Sequence, residues 1–172
     1  MLAYVSAKIN WVLVERLKPF LFYSIFDFKI RYRMARIKLS LPSDFLFKTI
    51  IPVRITDLNY GNHLANDKVL SIVHEARVQF LNHFGWSEMD LAGVGIIMAD
   101  VGIEYKNQAF YNDQLEIEMT IGDFTRVSFD IFYKITCQDK LIAKVKTGIV
   151  TFDYHTNKVV EVPEIVKNIF EK

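Results

Sequence analysis

The sequence predicts an α+β domain in which a curved antiparallel sheet wraps around one long helix, and three observations predict it. A single segment carries apolar residues at three- and four-residue spacing (Val69, Ile72, Val73, Ala76, Phe80 and Phe84), so one helix has a continuous apolar face. Beyond Gly93 the apolar period changes to two and stays there, as in strands with unlike faces. Turn-forming residues, Gly122-Asp123 and Gln138-Asp139-Lys140, punctuate those segments, as in a meander.

Taken in order, Phe45 to Ile55 is rich in β-branched and aromatic residues, which predicts a first strand, with Pro52 marking an edge or irregularity. The loop Thr56-Asp57-Leu58-Asn59-Tyr60-Gly61-Asn62-His63 concentrates residues that turn a chain. Asn66 or Asp67 suits the helix N-cap, because a short side-chain oxygen accepts from the free N–H groups of a first turn. Gly85 supplies the stop, and Trp86 to Leu91 reads as a further short turn of helix. Ile97, Ala99, Val101, Ile103 and Tyr105 then share one face of a strand. Strands follow over Leu115–Ile121, Val127–Ile135 and Leu141–Tyr154, giving the order βαββββ.

The bulk properties fit one compact domain. The chain has 172 residues, 51% of them apolar, enough for a core without disulfides or metal. A net charge of +1 gives no global field that would draw nucleic acid. The lone Cys137 can form no intrachain disulfide; a reduced, cytoplasmic setting fits, with the thiol filling space. No histidine pattern has ligand spacing, so no metal is expected.

Residues 1–33 read as an appendage to a domain spanning 34–172. Pro19, Glu15, Arg16 and Lys18 interrupt its apolar run, so no stretch of about 20 apolar residues survives to cross a bilayer. It is either an amphipathic element making weak contact with a membrane surface or an extension upstream of a true start at Met34. The second reading is favoured, because Met34 to Leu39 leads directly into a strand-like segment.

The loop Asp-Leu-Asn-Tyr-Gly-Asn-His-Leu-Ala-Asn, followed by a helix carrying His-Glu-Ala-Arg, resembles that of hotdog-fold acyl thioesterases, over roughly residues 45 to 163. The segments Ile97–Asp100, Tyr105–Asp113 and Lys146–Asp153 look like later strands of that superfamily. The resemblance implies a hotdog fold, a homodimer or homotetramer with sites between subunits, and hydrolysis of an acyl-CoA or acyl-carrier-protein thioester. No cofactor is implied beyond CoA as part of the substrate. The 4-hydroxybenzoyl-CoA thioesterase branch carries a catalytic Asp where this chain has Asn59, and an amide cannot act as a general base. The plant acyl-carrier-protein thioesterases place a His as His63 stands and a Glu as Glu75 stands.

Glu75, at the border of the apolar helix face and partly desolvated there, is therefore the expected base or nucleophile, with Asn59 and His63 completing the catalytic set across a dimer. Asp57, Gly61 and Asn66 support the loop, and the N–H groups of the helix's first turn are suited to the carbonyl oxygen. Lys106, Arg126, Lys144 and Lys146 are candidate contacts for the phosphates of CoA. Two other classes remain open: an acyl dehydratase or hydratase, which lacks its His-Phe-Pro-Gly signature here, and a non-catalytic acyl-binding protein, suggested by Asn59.

Overall fold

The computed structural model describes residues 36–171, so the appendage expected at 1–33 lies outside the described residues. Strand β1 (Phe47–Pro52) is followed by a 3-10 turn (Ile55–Asp57), helix α1 (Asn66–His83), strands β2 (Gly95–Tyr105), β3 (Gln114–Gly122), β4 (Ser128–Cys137), β5 (Lys140–Asp153) and β6 (Lys158–Val159), and helix α2 (Glu164–Phe170). The long strands form one antiparallel sheet in the order β1-β3-β4-β5-β2, with β6 paired to the end of β5. The first strand, Phe47–Pro52, is shorter than Phe45–Ile55, and Val53 still exchanges backbone hydrogen bonds with the chain ahead of β3: its N–H donates to the Asp113 carbonyl and its carbonyl accepts the Asn112 N–H, both at 2.9 Å.

The apolar face of α1 lies against the sheet. Val69, Ile72, Val73, Ala76, Phe80 and Leu81 are buried among Leu115, Ile117, Met119, Ile131, Tyr133, Val145 and Ile149, the alternate residues of β3, β4 and β5. Burying a side chain such as Phe80 stabilises the fold by roughly 2–3 kcal/mol. Helix α2, which strand and helix periodicity left unread, closes the end of this core: the Phe170 ring packs at 5.7 Å from Phe80 and 5.2 Å from Phe84.

Two expectations are corrected. Residues 86–91 form no helix, because side chains hold them as a loop: the Ser87 hydroxyl accepts the Asp90 N–H at 3.0 Å, and the Asp90 carboxylate accepts the Gly93 N–H at 2.7 Å. In β2 the register against β5 shifts between Met98 and Asp100, so Met98 stands opposite Ile149 and Val101 opposite Thr147. The extra residue reverses the phase, and Ile97 and Val101, expected on one face, lie on opposite faces. Ahead of β1, residues 37–46 carry no regular secondary structure. They run over the sheet's outer face, where the Leu39 N–H donates to Glu104 (3.1 Å) and Lys144 Nζ donates to the Leu39 carbonyl (3.1 Å). Leu39 lies over Gly102, where a Cβ would stand in ordinary contact, 3.4 Å from a Leu39 methyl.

The outer face is otherwise ionic. Lys134 pairs with Glu118 at 2.7 Å, and Lys146 bridges Asp130 (3.0 Å) and Asp100 (3.2 Å). Pairs this exposed contribute little to stability individually. They flank the buried Phe132 on this face, and α1 covers the other.

Candidate active site

The loop between the 3-10 turn and α1 is built around Asp57. Its carboxylate, 2% exposed, accepts the Arg54 backbone N–H at 2.9 Å and Arg54 Nε at 3.1 Å. Burial pushes this carboxyl up, but the hydrogen bonds and charge of Arg54 outweigh that and hold it below its ordinary value of 3.8. The Asp57 carbonyl accepts the Ala65 N–H at 2.9 Å, and Leu58 bridges Leu64, so the two ends of the loop are tied together. Asp57 thus supports the loop, as expected, from a buried position.

Between those ends the chain makes a tight hairpin. The Asn59 N–H donates to the His63 carbonyl and the Asn62 N–H to the Asn59 carbonyl, both at 3.0 Å, and Asn62 takes up a φ of 58°. The Asn59 side-chain oxygen accepts the Gly61 N–H at 2.8 Å. His63 Nδ1 lies 3.2 Å from the Leu64 carbonyl oxygen.

Helix α1 starts without a side-chain cap. Its N-cap is Ala65, not Asn66 or Asp67, because the Asp57 carbonyl fixes the Ala65 N–H and sets the chain's entry into the helix. The Lys68 N–H donates to the Ala65 carbonyl at 3.1 Å, and the N–H groups of Asn66 and Asp67 keep their partial positive charge for something else. Tyr105, at the end of β2, donates its hydroxyl to the Asn66 carbonyl at 2.9 Å and pins the strand end to this turn. Asn59, His63, Leu64, Asn66, Tyr105 and the segment Lys106–Gln108 line one cleft of about 360 Å³.

The structure brings Asn59, Gly61, His63 and Asn66 together within one chain, but not Glu75. Within one chain that carboxylate is exposed, on the flank of α1 that faces β1. It accepts a hydrogen bond from Gln79 at 2.8 Å and lines a separate cleft with Ile50, Pro52 and Arg54. Of the four candidate phosphate contacts, only Lys106 lines the Asn59–His63 cleft, where it is paired with Glu104. Lys144 and Lys146 lie on the outer face, held by the Leu39 carbonyl and by Asp100 and Asp130, and Arg126 pairs with Glu161 at 2.9 Å.

A second polar cluster went unread in the sequence. Arg77 lies within the buried face of α1, 7% exposed, and its Nε donates to Glu88 at 2.7 Å while His74 Nε2 lies 3.2 Å from the other Glu88 oxygen. The cluster borders a cleft of about 290 Å³ with Ile96, Ile97, Met98 and Tyr154 at the other end of β2. The signal was there: Arg77 falls on the apolar stripe between Val73 and Leu81, where an unpaired charge is untenable. Among the described residues no group of three or more His, Cys, Asp or Glu could hold a metal, and no helix is long and apolar enough to cross a membrane.

Comparison with known proteins matches residues 53–170 to the model of the thioesterase-like superfamily. A 1,4-dihydroxy-2-naphthoyl-CoA hydrolase of Microcystis aeruginosa is 28% identical over 103 residues, 58% of this chain and 75% of that protein. Among solved structures, a hypothetical protein of Aquifex aeolicus superposes with a TM-score of 0.66 at 22% identity, over 73% of this chain and 100% of its own. A 1,4-dihydroxy-2-naphthoyl-CoA thioesterase from Synechocystis gives 0.62 at 20% identity, over 69% and 90%. These likenesses bear out the hotdog arrangement expected of the fold.

Proposed function

The chain belongs to the thioesterase-like superfamily, and from that premise we propose that it hydrolyses an acyl-CoA thioester to free acid and thiol in the Asn59–His63 cleft. The observation that carries this reading is the convergence of a polar loop and an uncapped helix start on one space. Thioester hydrolysis needs a water, a group to take its proton and donors for the developing oxyanion. It needs little acid help, since a thiolate leaves readily, and no cofactor beyond the CoA carried by the substrate. Lys106, which lines the cleft and pairs with Glu104, is the candidate contact for a CoA phosphate there.

The hydrolase of Microcystis acts, by its name, on an aromatic acyl-CoA, which places aromatic thioesters beside short and long acyl chains in the first assay. Purified protein is expected to release free thiol from at least one of them, and Asn59→Ala to lower that turnover. A chain that binds acyl-CoA but releases no thiol from any of them favours the acyl-binding reading, whose support is the amide at position 59.

The second copy expected for this fold has a place to dock. Strand β2 is an 11-residue edge whose second side no strand of the described residues pairs, and Met98, Val101 and Tyr105 are all 39% exposed or more. Antiparallel pairing of β2 with itself about a two-fold axis covers that edge. It also sets the Tyr105 end, with the Asn59–His63 cleft, against the partner's Gly95 end. Sedimentation is expected to show at least twice the 20.1 kDa chain mass; a monomer at micromolar concentration contradicts it.

A further inference from the structure

The geometry points to Tyr154 as the residue by which each copy closes the acyl end of the other copy's Asn59–His63 cleft, and so sets the size of acyl group that is hydrolysed. The inference deepens the hydrolase reading and rests on it and on the β2 dimer. It starts at the Gly95 end of β2, where the open edge is not bare. The Ile96 N–H donates to the Glu88 carbonyl at 2.9 Å, outside the sheet, so Ile96 turns its backbone polar groups away from β5 and toward the docking side. The Tyr154 hydroxyl donates to the Ile96 carbonyl at 3.2 Å. Tyr154 follows directly on β5, and its ring reaches that edge by crossing over Gly95.

The ring is held there from three directions. Gly95 has no side chain, and a Cβ on it would run into the ring. Phe152, opposite Gly95 in the ladder, meets the ring edge-to-face with centroids 5.1 Å apart. The hydroxyl has the Ile96 carbonyl. Even so, about half of Tyr154 is exposed, and so are large parts of Ile97 and Met98. These three form an apolar wall of the cleft of about 290 Å³, whose polar groups, Arg77, Glu88 and His74, bond to one another.

Within one chain this wall has no acyl group to meet. The Asn59–His63 cleft adjoins Tyr105, at the other end of an 11-residue strand, roughly 30 Å away at about 3.3 Å per residue. A second copy removes that distance. Antiparallel pairing of β2 lays the other copy's Tyr105 end beside this copy's Gly95 end, so a thioester that extends from one cleft across the interface meets Ile97, Met98 and Tyr154 of the other copy. The acyl group is the part that suits the wall, because the amides and phosphates of the CoA arm would lose hydrogen bonds against it. The Tyr154 ring, fixed over Gly95, then stands across the acyl path as a stop.

The test measures kcat/KM over acyl-CoAs graded in size, straight-chain and aromatic, with the full chain and its Tyr154→Ala and Tyr154→Trp variants. Tyr154→Ala is expected to raise the ratio of larger to smaller substrates by about tenfold or more, the scale of a methylene gained or lost in an apolar pocket. Tyr154→Trp is expected to move the preference toward smaller acyl groups. It keeps a ring over Gly95, so it tests the stop even where removing the ring costs stability. A heterodimer, isolated through two different affinity tags, assigns the effect to the partner. One copy is unaltered and the other carries Asn59→Ala, His63→Ala and Tyr154→Ala, with homodimers of the altered copy giving the background. The unaltered cleft then faces alanine at position 154, and the heterodimer is expected to show the shifted preference. The inference is overturned if the size preference moves in neither variant, if both lower every substrate alike, or if the heterodimer keeps the unaltered preference, which would place the ring at its own chain's cleft. An unaltered chain that releases no thiol from any acyl-CoA overturns the hydrolase reading itself.

Discussion

Glu88→Ala is expected to lower the unfolding free energy by about 3 kcal/mol, the lower end of the range for breaking a buried ion pair by removing one partner. The reason is what the substitution leaves behind. Arg77 is 7% exposed and cannot shed its proton, so without Glu88 its guanidinium keeps only the Met98 sulfur, 3.7 Å from Nη1, and the nearby Tyr133 hydroxyl. The reverse substitution should cost less: in Arg77→Met an apolar chain of similar length fills the space, and Glu88, one-third exposed, keeps water and His74. Chemical denaturation of both single variants and the double variant measures the asymmetry. Equal costs for the two would show that mutual attraction, not the stranded charge, is what matters. Acid adds a second readout. Burial pushes the Glu88 carboxyl up, but hydrogen bonds from Arg77 and His74 outweigh it and hold the group below its ordinary 4.5. A depressed carboxylate contributes stability that is complete above the unfolded value and is lost as pH falls through the folded one. The stability of the unaltered chain should therefore decline below about pH 4.5 more steeply than that of Glu88→Ala.

That cluster shows where sequence reading stops. Periodicity exposes whichever residues share a face, so the stripe from Val69 to Phe80 and the alternation in β3, β4 and β5 were legible, and with them the fold. Arg77 was visible on the stripe, but its partner Glu88 sits eleven residues on, in a loop, and no spacing rule links the two. The bulge in β2 was hidden for a related reason: Ile96, Ile97 and Met98 are all apolar, so either phase of the strand satisfies the pattern. The helix cap was misread because its work is done by a backbone carbonyl, that of Asp57, which no residue identity advertises. Asn59, Gly61 and His63 were singled out from the loop's composition and likeness, and the structure sets them side by side. The lysines were not sorted, because exposure at alternate strand positions does not say which face meets the cleft. Glu75 was placed at the border of the helix face correctly, but the border has two sides, and the Thr49–Gln79 hydrogen bond identifies its flank as the one toward β1.

Gly61→Val is expected to cost about a hundredfold or more in kcat/KM while moving the unfolding free energy by less than about 1 kcal/mol. The two halves of that expectation have different origins. Gly61 is exposed and its φ is not in the left-handed region, so a side chain meets no buried packing and no backbone strain. What it meets is the site. The new Cβ would stand 3.1 Å from Asn59 Oδ1, 3.1 Å from His63 Nε2 and 3.2 Å from His63 Cδ2, closer than carbon comfortably approaches any of them. With a single methyl, as in Gly61→Ala, each neighbour can yield by a few tenths of an ångström, and a smaller loss is expected. The γ-methyls of valine leave no such adjustment. The imidazole must swing away, and its 3.2 Å Nδ1 contact with the Leu64 carbonyl goes with it. A displacement on the order of 1 Å in a catalytic constellation suffices for a hundredfold loss. Steady-state kinetics with parallel thermal melts separates the outcomes. Unchanged turnover in Gly61→Val would mean that the amide and the imidazole need not share this space, whereas a loss accompanied by unfolding would place the role of Gly61 in the loop's stability.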